Sequence, residues 1–370
     1  MAADVYFHSL EMPPGQEFVP VDPGPCLTQM VDKLGLTGAS RRASPWGLKV
    51  QVGEKGLPPA IDPAWARAVA GALAGSGISD PPRGAVCFDT LSITTGGLDK
   101  VDTHLEMAKV KGYGSKGQGL PFLVADGPDE GEPLVVDATG DPDISQLTLA
   151  PALKGFAGLC LLAPVRPHPH AGFQGALVNM GVGLADRAGK LLLHEDIRPK
   201  VNTPLCAGCG SCLAVCLFDA IEITAGRAMI DSQKCTGCGE CMNVCFMAGI
   251  SAEEKAGIPL FQKKVAAAAL AARDSVGGSG SDRFGYFNLL VRLDRHAGRA
   301  KGRGRTRLGD VGVLASRDPV ALDRATWDLI VDRSGSPLDV WSGFQQEPGP
   351  LLDHAENLGL GSQTFRLVEF

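Results

Sequence analysis

No stretch of this chain approaches the roughly 20 consecutive apolar residues of a membrane-spanning helix, so no membrane insertion is expected. Charge of one sign is also in short supply. The formal net charge is −6 over 370 residues, which gives no general attraction to nucleic acid or to an anionic bilayer. A G-x-x-x-x-G-K loop is missing, and no G-x-G-x-x-G follows a strand-like run, so neither an ATP-driven nor a nicotinamide-dependent mechanism has motif support. Gly181-Val182-Gly183 is too short to count. The segment Met1–His8 lacks a basic region followed by an apolar run. A dispersed disulfide framework is missing too, because eight of the eleven cysteines fall within forty residues. Clustered, closely spaced cysteines suit metal binding in a reducing compartment, and a cytoplasmic location is expected.

Composition is otherwise that of a globular chain, with 44% apolar and 21% charged residues, while 48 glycines and 26 prolines imply many tight turns. Length suggests two to three domains. Gly47–Gly53 alternates like a half-buried strand, and Ala85–Asp89, Phe122–Asp126 and Leu159–Ala163 read as buried strands. Asp62-Pro63 opens a helix through Ala64–Leu73, and a second helix is predicted over about Asp99–Lys111. Beyond the cysteine-rich region, a helix at Lys263–Arg273, a Gly277–Ser281 flexible stretch, strands at Tyr286–Leu293 and Asp310–Ala315, and a helix from Asp318-Pro319 to about Asp332 follow. The fold class expected is α/β with a mostly parallel sheet. Residues 1–200 and 253–370 are read as two parts of one discontinuous domain that carries residues 201–252 as an insert.

Cys206, Cys209, Cys212 and Cys216 form C-x2-C-x2-C-x3-C, and Cys235, Cys238, Cys241 and Cys245 repeat it 29 residues later. Thiolates at i, i+3 and i+6 wrap a loop round three corners of a [4Fe–4S] cube, and the fourth cysteine, expected to open a helix, ligates the other cube. Two [4Fe–4S] clusters are therefore expected, one on Cys206, Cys209, Cys212 and Cys245 and one on Cys235, Cys238, Cys241 and Cys216. Gly208, Gly210, Gly237 and Gly239 suit the tight turns between the ligands. The plainer alternative is two zinc sites, but zinc modules pair C-x2-C with a distant second pair and do not need the cysteine at i+6. Leu217 and Phe246 stand where bacterial ferredoxins carry proline after the fourth cysteine.

Outside this region, Lys49–Gly56, Gly172–Gly183, Asp310–Asp323 and Asn357–Gly361 resemble the family catalogued as domain of unknown function 362, in particular its members with an inserted ferredoxin domain. The resemblance covers most of the chain and implies an α/β fold with a 2[4Fe–4S] insert of α+β ferredoxin type. Val178 replaces the lysine that members commonly show before the asparagine, and Asp294-Arg295-His296 stands where members show Cys-Asp-Cys.

Weaker constellations accompany the repeat. His168 and His170 follow a buried strand on a proline-stiffened segment, with Asn179 and His194 as further donors. They form the candidate catalytic pocket, the alternative being histidines of a surface loop. Asp89, Asp126 and Glu54 follow strands and suit either a cation or hydroxyl ligand or an ordinary turn role, the commoner one. Arg299, Lys301, Arg303, Arg305 and Arg307 suit an acidic partner, although a solvated loop is the plainer reading. Cys26, Cys87 and Cys160 read as buried small hydrophobes. The leading expectation is an iron–sulfur electron-transfer protein, or such a component of a reductase system, with a redox partner protein and no nucleic acid. A self-contained redox enzyme acting on a small-molecule substrate, and a cluster-bearing sensor or scaffold, stand as alternatives.

Overall fold

The computed structural model describes residues 2–10, 22–39, 44–53, 58–75, 84–94, 96–114, 119–138, 144–252, 257–277, 283–293, 309–334 and 346–370. Glu54, Gly278–Ser281, Asp294–His296 and the basic run Arg299–Arg307 lie outside the described residues. The strands are β1 (Ala3–Ser9), β2 (Trp46–Lys49), β3 (Ala85–Asp89), β4 (Phe122–Val124), β5 (Leu134–Asp137), β6 (Gln146–Leu149), β7 (Gly158–Pro164) and β8 (Arg166–His168). They continue as β9 (Gly172–Gln174), β10 (Pro199–Val201), β11 (Ile221–Thr224), β12 (Arg227–Ile230), β13 (Ile250–Ala252), β14 (Phe284–Leu290), β15 (Gly312–Ser316) and β16 (Phe365–Glu369). The helices are α1 (Gly24–Lys33), α2 (Pro63–Ala74), α3 (Val101–Val110), α4 (Ala176–Gly181), α5 (Arg187–His194), α6 (Ser211–Ala214), α7 (Glu240–Val244) and α8 (Gly257–Gly277), then Pro319–Ser334 and Gly349–Asn357.

Eight strands form one sheet in the order β16-β1-β15-β14-β7-β2-β3-β4. Every pairing is parallel except those of β15, which runs against β1 and β14. The chain is thus mixed α/β with a large, mostly parallel central sheet. Alternate residues of β7 serve opposite faces: Leu159 and Leu161 join the core under α4 and α8, and Cys160 and Leu162 join that under α1 and α2. Cys26, Cys87 and Cys160 are buried, as small hydrophobes should be. β2, predicted to be half-buried, is buried at all four positions, because β3 and β7 flank it, Trp46 and Leu48 join one core, and Gly47 lies against Phe88, Phe156 and Leu159 on the other face.

Local chemistry explains the helix starts. Asp62 accepts the Ala64 N–H at 2.9 Å and Pro63 occupies the first helical position, which fixes the start of α2. α8 extends well beyond the predicted Lys263–Arg273, since its alanine-rich sequence favours helix throughout.

Two features place the functional groups. The chain runs outward through β2, β3 and β4 and then returns to β7 on the other side of β2, so strand order reverses between β2 and β7. In open α/β sheets ligands gather beyond the carboxyl ends of strands at such a reversal. Residues 199–252 contribute no strand to this sheet. They form the ribbons β10–β13 and β11–β12, with α6 and α7, round a separate small core of Cys212, Ile221, Ala228, Cys241 and Ile250. Among the described residues no helix is long and apolar enough to cross a membrane.

Candidate metal centre and strand-end site

All eight repeat cysteines are free. Cys212 and Cys241 sit in the first turns of α6 and α7, which begin directly after Gly210 and Gly239 in left-handed conformation. Cys216 and Cys245, expected to open helices, instead follow them, because each glycine turn starts its helix before the third cysteine. A concave space is lined by Cys206, Cys209, Cys212 and, from the other repeat, Cys245. The thiol neighbours of Cys212 are Cys209 and Cys245, and those of Cys238 are Cys235 and Cys216. Backbone N–H groups aim at sulfur: Ala228 at Cys206 (3.4 Å), Ala220 at Cys216 (3.4 Å) and Gly249 at Cys245 (3.2 Å).

The N–H groups of Ala228 and Gly208 hold the Cys206 thiol below its ordinary value, and the Ser211 hydroxyl and N–H do the same for Cys209. Burial pushes Cys212, Cys238 and Cys241 up. Among the described residues no three His, Cys, Asp or Glu side chains are grouped round a single ion.

The two loops differ in what surrounds them. A Cβ on Gly237 would overlap the His194 carbonyl oxygen and come within 2.7 Å of that of Ile197, and one on Gly239 would lie 2.5 Å from His170 Nε2. A Cβ on Gly210, in the first loop, meets nothing within 4 Å. The second loop is therefore pressed against the α/β core, whereas Leu213, Leu217 and Phe246 are exposed.

His168, His170 and His194 do meet, but not on a surface loop. His170 and His194 are buried and His168 is half-buried, and all three rings surround Phe261 of α8 at centroid distances of 6.0, 5.5 and 4.7 Å. His168 Nδ1 accepts the N–H groups of His170 (3.2 Å) and Ala171 (3.1 Å), which requires a neutral ring. His194 Nδ1 donates to the Lys190 carbonyl at 2.7 Å. The Gly237 carbonyl lies beside His170 without closing a well-formed hydrogen bond. Asn179 does not join the nest: its buried side chain lies against Gly183 with both polar atoms unpartnered.

Burial holds the three imidazoles well below their ordinary value, His168 at about 3 and His194 at about 4. Unfolded histidine titrates near 6.5, so as pH falls below 6.5 the unfolded chain takes up protons that the folded one refuses, and stability falls. Burial raises Asp323 to about 6, and that group works in the opposite direction between pH 6 and 4. By linkage the histidines win at pH 5, because several buried imidazoles that refuse protons outweigh the one carboxyl whose folded form takes one up. Urea unfolding at pH 7 and pH 5 should show this fall, and His194→Gln should show a smaller one. An equal fall in both proteins would show that His194 is not its source.

A second polar cluster stands at the carboxyl ends of β2, β3 and β4. Lys49 Nζ pairs with Asp89 Oδ1 at 2.8 Å, and His104 Nε2 lies 3.4 Å from Asp89 Oδ2. Burial alone would raise the Asp89 carboxyl, but the Lys49 ammonium and the His104 ring beside it hold it well below the usual carboxylate range. Lys190 of α5 reaches the same place, donating to Thr90 Oγ1 at 2.7 Å and to the Leu91 carbonyl. Thr90 in turn donates to the Gly183 carbonyl at 2.9 Å. Asp126 accepts the Leu91 N–H at 2.8 Å through Oδ1 and leaves Oδ2 buried and unpartnered. Sequence reasoning found Asp89 and Asp126 but gave no role to Lys49, His104 or Lys190, and nothing local to those residues signals one.

Fold and site together define an α/β protein with a cysteine-rich segment packed on its core beside a polar cluster at the strand ends. The chain belongs to the family described as Domain of unknown function (DUF362), whose model matches residues 47–328. A crystal structure of a protein from Thermotoga maritima is similar at 11% identity and a TM-score of 0.42, covering 86% of this chain and 61% of that one. A search of curated proteins finds no match.

Proposed function

We propose that residues 201–252 are a ferredoxin-like insert binding two [4Fe–4S] clusters, and that the protein passes electrons through them to a partner protein or a bound substrate. The observation that carries this reading is the crossed arrangement of thiols: Cys245 completes the space lined by Cys206, Cys209 and Cys212, and Cys216 is a thiol neighbour of the Cys235 repeat. Each thiolate of such a cluster binds a different iron, so the four sulfurs need not converge on one point as the ligands of a zinc ion do. N–H groups aimed at sulfur suit this use, since they stabilise sulfur that carries negative charge. When bound, such clusters supply one-electron transfer. The chain's own part is to hold two of them side by side, one loop outward and one against the α/β core.

Anaerobically prepared protein is expected to carry about eight irons and eight acid-labile sulfides. Cys216→Ser should then lose the signal of the cluster held by Cys235, Cys238 and Cys241 and keep that of the Cys206 set. Stoichiometric zinc without labile sulfide ends the iron–sulfur reading, and loss at the Cys206 set alone ends the crossed ligation.

A further inference from the structure

The two cysteine repeats share their spacing but differ in the residue before the third cysteine, which is Ser211 in the first and Glu240 in the second. The Ser211 hydroxyl lies 3.5 Å from Cys209 Sγ and, with the Ser211 N–H, favours negative charge on that sulfur. The Glu240 N–H does the same for Cys238, but the Glu240 carboxylate works against it. Glu240 is 8% exposed, and a charge held so far from water is weakly screened.

The other surroundings divide the same way. The Arg227 guanidinium and the N–H groups of Ala228 and Gly208 favour negative charge on Cys206, and the Gly249 N–H points at Cys245. Cys209 is the one exposed cysteine of the eight. In the second loop Gly237, Gly239 and Glu240 are buried, whereas their counterparts Gly208, Gly210 and Ser211 are half-buried. Gly237 rests on the His194 carbonyl oxygen at the negative end of α5, and burial keeps the neighbouring His170 and His194 rings neutral. Two donors act in the opposite sense: the Ala220 N–H on Cys216, and the Thr236 hydroxyl, which is buried without a partner among the described residues. Both are dipoles set against a full charge. Reduction adds one negative charge to a cluster, so burial and nearby negative charge oppose it, while donors to sulfur, cations and solvent favour it.

We propose that Glu240 fixes the order in which the two clusters take up electrons. Its carboxylate keeps the inner cluster, on Cys235, Cys238, Cys241 and Cys216, at the lower potential. The first electron then rests on the outer cluster, on Cys206, Cys209, Cys212 and Cys245, where a one-electron partner protein collects it beside exposed Cys209. Transfer between the two moves one electron and no proton, the inner cluster being oxidised as the outer is reduced. Such an order rests on the electron-transfer reading proposed above.

The test is a potentiometric titration of the anaerobically prepared whole protein with dithionite, followed by electron paramagnetic resonance. Two one-electron steps are expected, and Cys216→Ser should keep the upper step and lose the lower. Glu240→Gln should make the lower reduction at least about tenfold easier, about 59 mV for one electron, with the upper step unmoved and about eight irons retained. Ser211→Glu, which puts a carboxylate at the matching place of the first repeat, should lower the upper step, and it decides the matter if Glu240→Gln loses iron. Protein without iron or labile sulfide ends the iron–sulfur reading and this proposal with it. With about eight irons bound, three results overturn the proposal and leave that reading standing: a lower step retained in Cys216→Ser, a lower step unmoved in Glu240→Gln, or an upper step unmoved in Ser211→Glu.

Discussion

Gly237→Ala is expected to strip the protein of about four of about eight irons, on the proposed cluster stoichiometry, while Gly210→Ala keeps nearly all of them. Both glycines have positive φ, 74° and 78°, so both substitutions carry the same intrinsic penalty, about 1–2 kcal/mol for a Cβ in the left-handed region. They differ in what the new methyl group meets. At Gly210 it meets nothing within 4 Å, and at Gly237 it runs into the backbone carbonyls of His194 and Ile197. Those carbonyls belong to the end of α5 and the turn after it, and backbone anchored in the α/β core does not give way as a flexible side chain would. The loop bearing Cys235 and Cys238 must lift off instead. Iron analysis with visible spectra of both variants checks the contrast. Equal iron in the two proteins would mean that the second loop does not depend on its seat against α5.

How much of this was legible beforehand varies with the range over which each feature is determined. β3 was read residue for residue at Ala85–Asp89, because a short apolar run bounded by turn residues is a local signal. The start of α2 was equally plain from Asp62-Pro63. β1 and β16 were missed: they pair with each other from opposite ends of the chain, and β16 is largely exposed and lacks a buried strand's pattern. The cysteine repeat announced itself because its ligands are three residues apart, whereas the environment of the histidines was hidden. Phe261, round which they gather, arrives some ninety residues after His170 on α8, and only that helix turns an apparently exposed loop into a buried nest. The strand-end cluster was hidden for the same reason. A lysine at the end of a strand reads as a solvated residue until its partner forty residues away is seen beside it.

That partner sets the last expectation: Asp89→Asn should lower the free energy of unfolding by about 3–5 kcal/mol, the usual cost of leaving one member of a buried ion pair without the other. Asp89 is 6% exposed and Lys49 1% exposed. Besides Lys49, the carboxylate accepts the Thr90 N–H at 2.9 Å and the Val52 N–H at 3.3 Å, so an amide in its place loses the charge and must turn one donor toward N–H groups. The double variant Lys49→Met/Asp89→Leu should be more stable than Asp89→Asn alone, because it removes both charges rather than orphaning one. The pH dependence has a definite sign. The folded carboxyl titrates well below its unfolded value of 3.8, so its contribution is fully present above pH 3.8 and is lost as pH falls below that. The cost of Asp89→Asn should therefore stay level from pH 8 to pH 5 and shrink only in stronger acid. Urea unfolding of the three proteins across that range measures it. A single variant no less stable than the double one would show that Lys49 finds another counter-charge.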